Sequence, residues 1–522
     1  MEVLILLSLL SIFIIFIVHK HKTYSTRANL PPGPPGLPLI GNLHQLDSSS
    51  PHRCLWTLSK RYGPLMSLCL GSIPTLVISS EKMAKEVFKT HDLKFASRPP
   101  FLGLRKFSYN GLDIGFTPYG PYWREIRKLC VLHLFSSKRV QSFRPMRENE
   151  VAQMIDEVSK YDHASGQVVN LTETMMCIGL AQSTFTNSLI CIIAFGKKYG
   201  HDNYEEKVVG LGSGQRNSRL HTLLNETEAL FTEFYFSDYF PLIGWVDRLR
   251  GTLSKLDKAF KELDGIYEQI IHDHMDPTRP KASDKEVADI IDILLEITNN
   301  NHSFSFDLTI DHIKAVLMNI FIAGTDTSSA IVVWAMMALL KNPRVMNKVQ
   351  GEIGDLFGDK SFVSENDIER LPYFKAVVKE TTRLFPPLPL LLPRETRERC
   401  NIDGYEIPPR TLVHVNAWAI ARDPERWEDP EEFYPERFIG STIDYKGGDF
   451  ELIPFGAGRR MCPAMNMGVA AVELSLVNLL HSFDWELPPG IDKEEMLGTQ
   501  EKPGLVMHKK IDLCLVAKKR II

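Results

Sequence analysis

The sequence predicts a mainly α-helical body with a minor β part, a single domain behind an N-terminal transmembrane helix. Three observations carry this reading. Apolar residues recur at helical spacing through most of the chain. Short alternating stretches bounded by turn residues appear only towards its two ends. Val3 to Val18 is apolar except for Ser8 and Ser11.

The elements follow in order. Sixteen helical residues from Val3 rise roughly 24 Å, a little less than a hydrocarbon core of about 30 Å. A cleaved signal peptide is the alternative. Glu2 precedes the run, and Lys20, Lys22 and Arg27 follow it. That asymmetry favours an uncleaved single-pass anchor with the body on the cytosolic side. Residues 1–22 are thus assigned to the anchor, 23–40 to a linker with a proline-rich hinge (Pro31 to Pro38), and 41–522 to the catalytic domain. Proline fixes φ and removes a donor, so the hinge is stiff and non-helical. Leu65–Leu70 and Thr75–Ser79 flank Gly71-Ser72-Ile73-Pro74 as a hairpin, and Ser80 caps a helix to about Thr90. Helices are expected near 121–135, 146–160, 224–236, 253–274, 284–298, 309–340, 343–357, 365–385 and 463–482. Extended pieces are expected near 388–396, 402–407, 411–415 and 503–517. Thr172 to Ile193 lacks a clean helical stripe and reads as a lineage insertion or a gene-model error.

Composition narrows function. The 522 residues are 44% hydrophobic and 24% charged, with net charge −4. Nothing in that balance suggests nucleic acid as a partner. Eight cysteines without a CxxC pair argue against a zinc ribbon, a dithiol motif or a disulfide scaffold. They fit a reducing compartment.

The most informative segment is Phe455-Gly456-Ala457-Gly458-Arg459-Arg460-Met461-Cys462-Pro463-Ala464. Its glycines permit tight turns and close approach to a flat ligand. Pro463 suits the first position of a helix, which would put Cys462 at a helix N-terminus where a thiolate is favoured. With Arg460 two residues earlier, the loop suits an anionic metallo-cofactor.

These residues resemble the cytochrome P450 haem loop, Phe-x-x-Gly-x-Arg-x-Cys-x-Gly, matched at Phe455, Gly458, Arg460 and Cys462, with Ala464 in place of the last glycine. The resemblance implies haem b (iron protoporphyrin IX), with Cys462 as the axial iron ligand whose anionic sulfur favours O–O cleavage. Ala323-Gly324-Thr325-Asp326-Thr327-Ser328 resembles the family's oxygen-activation motif. There Gly324 would admit a flat ligand, and Asp326 and Thr327 would relay protons. Glu380 and Arg383, one helical turn apart, with Arg437 of Pro435-Glu436-Arg437-Phe438, match the family's structural triad. Trp123, Arg127, Arg394 and Arg460 match positions that bind the haem propionates, and Phe455, Gly456 and Gly458 line the cofactor. By resemblance the pocket lies under 101–116, around Phe236, along 319–323, at 387–391 and at 505–507.

The chain has no flavin or nicotinamide fingerprint. The resemblance therefore implies electrons from NADPH through a separate NADPH–cytochrome P450 reductase, docking on a basic face at Arg124, Lys128, Lys138 and Arg139. It also implies O2 and a small hydrophobic substrate as partners, membrane lipid around the anchor, and the endoplasmic reticulum membrane as the location. Leu134-Phe135-Ser136 and Ser142 to Glu148 resemble the oxime-metabolising group of plant A-type monooxygenases. The expected reaction is hydroxylation or aldoxime N-oxidation of a plant secondary metabolite. A P450-fold isomerase or dehydratase that does not use O2, and a non-catalytic haem-binding protein, are the competing readings.

Overall fold

The structure, a computed structural model, describes residues 29–161, 167–175, 185–197, 223, 226–279, 287–299 and 306–520. The expected anchor lies outside them. The helices used below are α1 (Pro51–Tyr62), α2 (Pro121–Leu129), α3 (Arg144–Ser159), α4 (Phe185–Phe195), α5 (Thr252–Met275), α6 (Ile310–Lys341), α7 (Pro343–Phe357), α8 (Pro372–Leu384) and α9 (Met465–Ser482). The strands are β1 (Leu65–Leu70), β2 (Ile73–Ile78), β3 (Val169–Asn170), β4 (Arg394–Glu395), β5 (Cys400–Ile402), β6 (Tyr405–Ile407), β7 (Leu412–Val415), β8 (Phe483–Glu486) and β9 (Cys514–Lys519).

Helix α6 is the axis of the body. Its flanks, Ile313–Met318 and Ser328–Leu339, are buried on every side, as expected of a helix apolar all round. It is long and apolar enough to cross a membrane, but here that apolar surface is covered by α4, α8 and α9. Among the described residues the β part is three small sheets: β1-β2-β7-β4, β3-β9-β8 and the hairpin β5-β6. Strands far apart in sequence are thus paired, with β2 parallel to β7 and β3 antiparallel to β9.

The proline-rich segment is docked on the body from Pro31 onward. Ser67 donates its backbone N–H to the Pro32 carbonyl (2.9 Å) and its hydroxyl to that of Pro31 (2.7 Å). A Cβ at Gly33 would sit 1.9 Å from the Ser67 carbonyl oxygen. Only glycine allows that approach.

Several boundaries differ from expectation for local reasons. The helix expected over 365–385 is two, Glu365–Ile368 and Pro372–Leu384. Pro372 cannot continue a helix but starts one well. The exposed N–H groups of Tyr373 and Phe374 are taken by the Glu352 carboxylate, each at 2.8 Å. The helix expected over 224–236 covers 226–232, followed by a separate turn at Phe236–Tyr239. In 503–517 only the last residues join a strand, and the alternation of buried and exposed residues in β8 went unread. Of the odd stretch 172–193, residues 176–184 lie outside the described residues, and 185–193 belong to core helix α4, where Leu189, Cys191, Ile193, Ala194 and Phe195 are buried. From Leu189 to Phe195 the helix is apolar on every face, so it shows no stripe.

Candidate active site

The cysteine loop is closed by its own backbone. Cys462 N–H donates to the Phe455 carbonyl (2.9 Å), and Met461 N–H to that of Gly458 (3.1 Å). Gly456 and Gly458 both take φ of +69°, a conformation that strains other residues. A Cβ at Gly458 would lie 2.6 Å from the Phe88 carbonyl oxygen. This glycine therefore admits a neighbouring backbone rather than a ligand. Phe455 is held edge-on by Tyr445, with ring centroids 5.5 Å apart.

Helix α9 begins at Met465 after Ala464, so Pro463 is not its first residue. Cys462 lies outside the helix, and its sulfur accepts the Ala464 backbone N–H. The expected helix-terminus stabilisation is outweighed. Desolvation pushes the thiol up from its ordinary value, offset only in part by that N–H and by Arg127. Losing the proton here calls for a positive centre on the sulfur, as a metal provides.

Four arginines converge on the loop. Arg460 stacks over Trp123 at 4.0 Å from the ring centroid and donates to the carbonyls of Ala96 and Thr117 at 2.7 and 2.6 Å. Arg127 reaches the Met461 carbonyl (2.7 Å), and Arg394 that of Ala457 (3.0 Å). Arg98, absent from the sequence-based set, donates to Gly115, Leu392 and Pro393. Burial, then the neighbouring arginines, drives Arg98 well below its ordinary value and Arg460 down to about 9. Guanidinium groups do not give up their proton in proteins. The depression therefore reports cations packed together with too little negative charge. Two carboxylates lie nearby. Asp92 pairs with Arg394 and Arg459 at 3.5 Å, while Asp113 is taken up by Asn319 and the N–H groups of Phe116 and Thr117. A dianionic ligand such as haem, with two propionates, fits this donor set.

Within buried α6, Ile320, Ala323 and Thr327 stay accessible along one face. The Thr327 hydroxyl donates to the Ala323 carbonyl one turn back (2.7 Å), which loosens the helix ladder at that point. Gly324 serves packing. A Cβ there would meet Ile190 of α4 at 2.7 Å. Asp326 turns the other way, is buried, and binds His508 Nε2 at 2.7 Å. The site of a Cβ on Gly468 in α9 lies 3.9 Å from the Ser328 hydroxyl, so the helix after the cysteine loop crosses α6 beside this motif.

Other pocket expectations change. Asn319 is consumed in bonds to Asp113 and to the N–H groups of Ile114 and Gly115. Phe236 packs with Phe234 and Phe240, whereas Phe231 faces Phe116 (5.5 Å) and Phe107 (5.1 Å). Arg144 and Arg147, read as a subgroup signature, pair with Glu148 and Glu365. Arg147 thereby ties α3 to the short helix at Glu365–Ile368.

Glu380, Arg383 and Arg437 do meet. Arg383 forks onto both Glu380 oxygens (2.7 and 2.9 Å), and Arg437 reaches one of them at 3.1 Å. Arg383 also donates to the carbonyls of Ala421, Pro430 and Glu432. Glu380 and Arg383 are fully buried. Glu380→Ala strands two guanidinium groups and should cost about 3–5 kcal/mol of stability. Chemical denaturation of the purified variant measures it, and a loss below about 1 kcal/mol contradicts the buried-pair account.

Comparison with known proteins agrees with this geometry. A profile of the cytochrome P450 family matches residues 31–515. Strychnine-11-hydroxylase of Strychnos nux-vomica is 45% identical, over 92% of this chain and 90% of its own. The 6,7,8-trihydroxycoumarin synthase of Pastinaca sativa is 46% identical, over 92% of both chains. The 5-OH-xanthotoxin synthase of Ammi majus is 46% identical, over 91% of this chain and 90% of its own. A zebra fish cytochrome P450 solved with abiraterone shares the fold at TM-score 0.72 and 24% identity, covering 90% of this chain and 99% of that one. The chain belongs to the cytochrome P450 family, as a haem monooxygenase that draws its electrons from a reductase.

Proposed function

We propose that this protein hydroxylates a small, largely planar plant metabolite at a haem held by Cys462. The convergence of four arginines on the cysteine loop carries the cofactor assignment. Cys462 would supply the sulfur ligand, and Arg98, Arg127, Arg394 and Arg460, with Trp123, the propionate contacts. Phe455, Gly456 and Gly458 shape the loop beneath the cofactor. When bound, the haem supplies the activation of O2.

The protein's own groups do the rest. Glu380, Arg383 and Arg437 clamp the segments beneath the loop. Thr327 presents a hydroxyl on the face of α6 where Ile320 and Ala323 are also accessible. Asp326, the adjacent acid, holds a proton-transfer position at its Oδ2. Phe107, Phe116 and Phe231 offer an apolar aromatic wall that excludes water and suits a flat ring system. Relatives named for coumarin, xanthotoxin and strychnine chemistry favour ring hydroxylation over aldoxime N-oxidation. The reconstituted protein, given NADPH, a plant P450 reductase and a panel of coumarins, indole alkaloids and aldoximes, should form a hydroxylated ring product with matching NADPH and O2 use. Conversion without NADPH, or of aldoximes alone, contradicts this reading.

The reductase would dock on the face of α2 and the turn after it. Arg124, Lys128 and Lys138 are exposed and form no ion pair with a described carboxylate, and exposed Leu132 lies among them. Charge reversal at Lys128 and Arg139 should slow reductase-driven turnover and flatten its salt dependence. Unchanged salt dependence counts against this surface.

The body would rest on the endoplasmic reticulum membrane beside the anchor. Leu242, Trp245 and Leu249 are 76%, 61% and 75% exposed. Leu39 and Ile40 are also exposed and connect to the same region through the β1–β2 turn, where Gly71 N–H bonds Ile40 and Ser72 N–H bonds Tyr239. Trp245→Ala with Leu249→Ala should weaken binding of the chain lacking residues 1–28 to phospholipid vesicles. Equal vesicle binding by wild type and variant rejects this face.

A further inference from the structure

Asp326 is held by two residues that no spacing in the sequence links to it. His508 Nε2 lies 2.7 Å from Asp326 Oδ2. The carboxyl of Glu228, on the helix over 226–232, hydrogen-bonds Asp326 as well. One side-chain N or O atom from each of the three lies within 4.8 Å of the others. Two carboxylates offer only acceptors, so a hydrogen bond between them needs a proton. Burial, and then the charge of Asp326, pushes the Glu228 carboxyl well above the usual carboxylate range, so that proton sits on Glu228 near neutrality.

His508 is the outer member. Its side chain is 14% exposed against 9% for Asp326. Its loop is pinned: Trp334 Nε1 donates to the Met507 carbonyl (2.7 Å), Met507 N–H to that of Pro387 (2.8 Å), and Lys502 N–H to that of His508 (2.9 Å). Other charges nearby are engaged elsewhere. Lys502 pairs with Asp512 at 3.1 Å, and Lys509 donates to the Ile511 carbonyl. The ring is thus fixed, wet on one side, and bonded on the other to the acid that precedes Thr327 in the chain.

We propose that His508 is the proton-entry and positioning residue for Asp326, with Glu228 keeping the proton that the two acids share. In the transfer, the Nε2–H bond breaks as an Oδ2–H bond forms. The imidazolium becomes imidazole, and solvent returns a proton to the ring. This rests on Asp326 being the acid of the site.

Two measurements on the purified holoenzyme test it. Infrared difference spectra of the ferric, substrate-free protein should contain a protonated-carboxyl band that shifts in D2O and is lost in Glu228→Gln. With reductase, NADPH and O2 alone, His508→Gln keeps a donor for Asp326 but cannot carry a proton. It should slow NADPH oxidation about ten-fold, raise the fraction of electrons released as hydrogen peroxide and move the pH profile. His508→Ala should do the same and also disturb the carboxyl band. A His508→Gln enzyme with wild-type rate, pH profile and solvent isotope effect reduces His508 to packing and overturns the proposal. Retention of the infrared band in Glu228→Gln removes the shared proton. A fully active Asp326→Asn enzyme instead refutes the assignment of Asp326 on which both depend.

Discussion

The fold gathers buried positive charge around one cysteine, and much of the architecture follows from that. Arg98, Arg127, Arg394 and Arg460 come from four separate segments and end within one neighbourhood. Like charges at low dielectric repel strongly and cannot be relieved by loss of a proton. Each is braced on backbone carbonyls, which orient guanidinium groups without neutralising them. A ligand with two negative charges and a cationic metal satisfies the arginines and the sulfur together.

Such a cage needs a rigid base. The bidentate pair of Glu380 and Arg383, with Arg437, fastens α8 to the carbonyls of Ala421, Pro430 and Glu432. Helix α9 carries the far end of the loop and packs on α6, which sets the cysteine loop and Thr327 in one frame. The small sheets do comparable work at the other end. Parallel pairing of β2 with β7 holds the β1–β2 hairpin against the segment near residue 412.

Much of this was legible in the sequence. Helices α6 and α7 are long and strongly periodic or cleanly bounded by proline, and they fall within a residue of expectation. The Phe455 to Cys462 loop is local, so its residues and their order could be recognised together. The misses share a physical cause. Pro372 divides the helical pattern over 365–385, because proline starts a helix but cannot continue one. Helix α4 is apolar on nearly every face and shows no stripe. Arg98, Glu228 and His508 act across separations that no local spacing encodes. One clue existed: a buried acid at Asp326 demands a partner, though it could not say which residue supplies it.

If Cys462 holds the haem iron through its sulfur, the absorption difference spectrum of the reduced, carbon-monoxide-bound protein reports that bond. Wild-type protein produced with ample haem should show the thiolate-type Soret band, and Cys462→Ala should lose it. A colourless wild-type protein, or a thiolate-type band that survives in Cys462→Ala, would contradict the account.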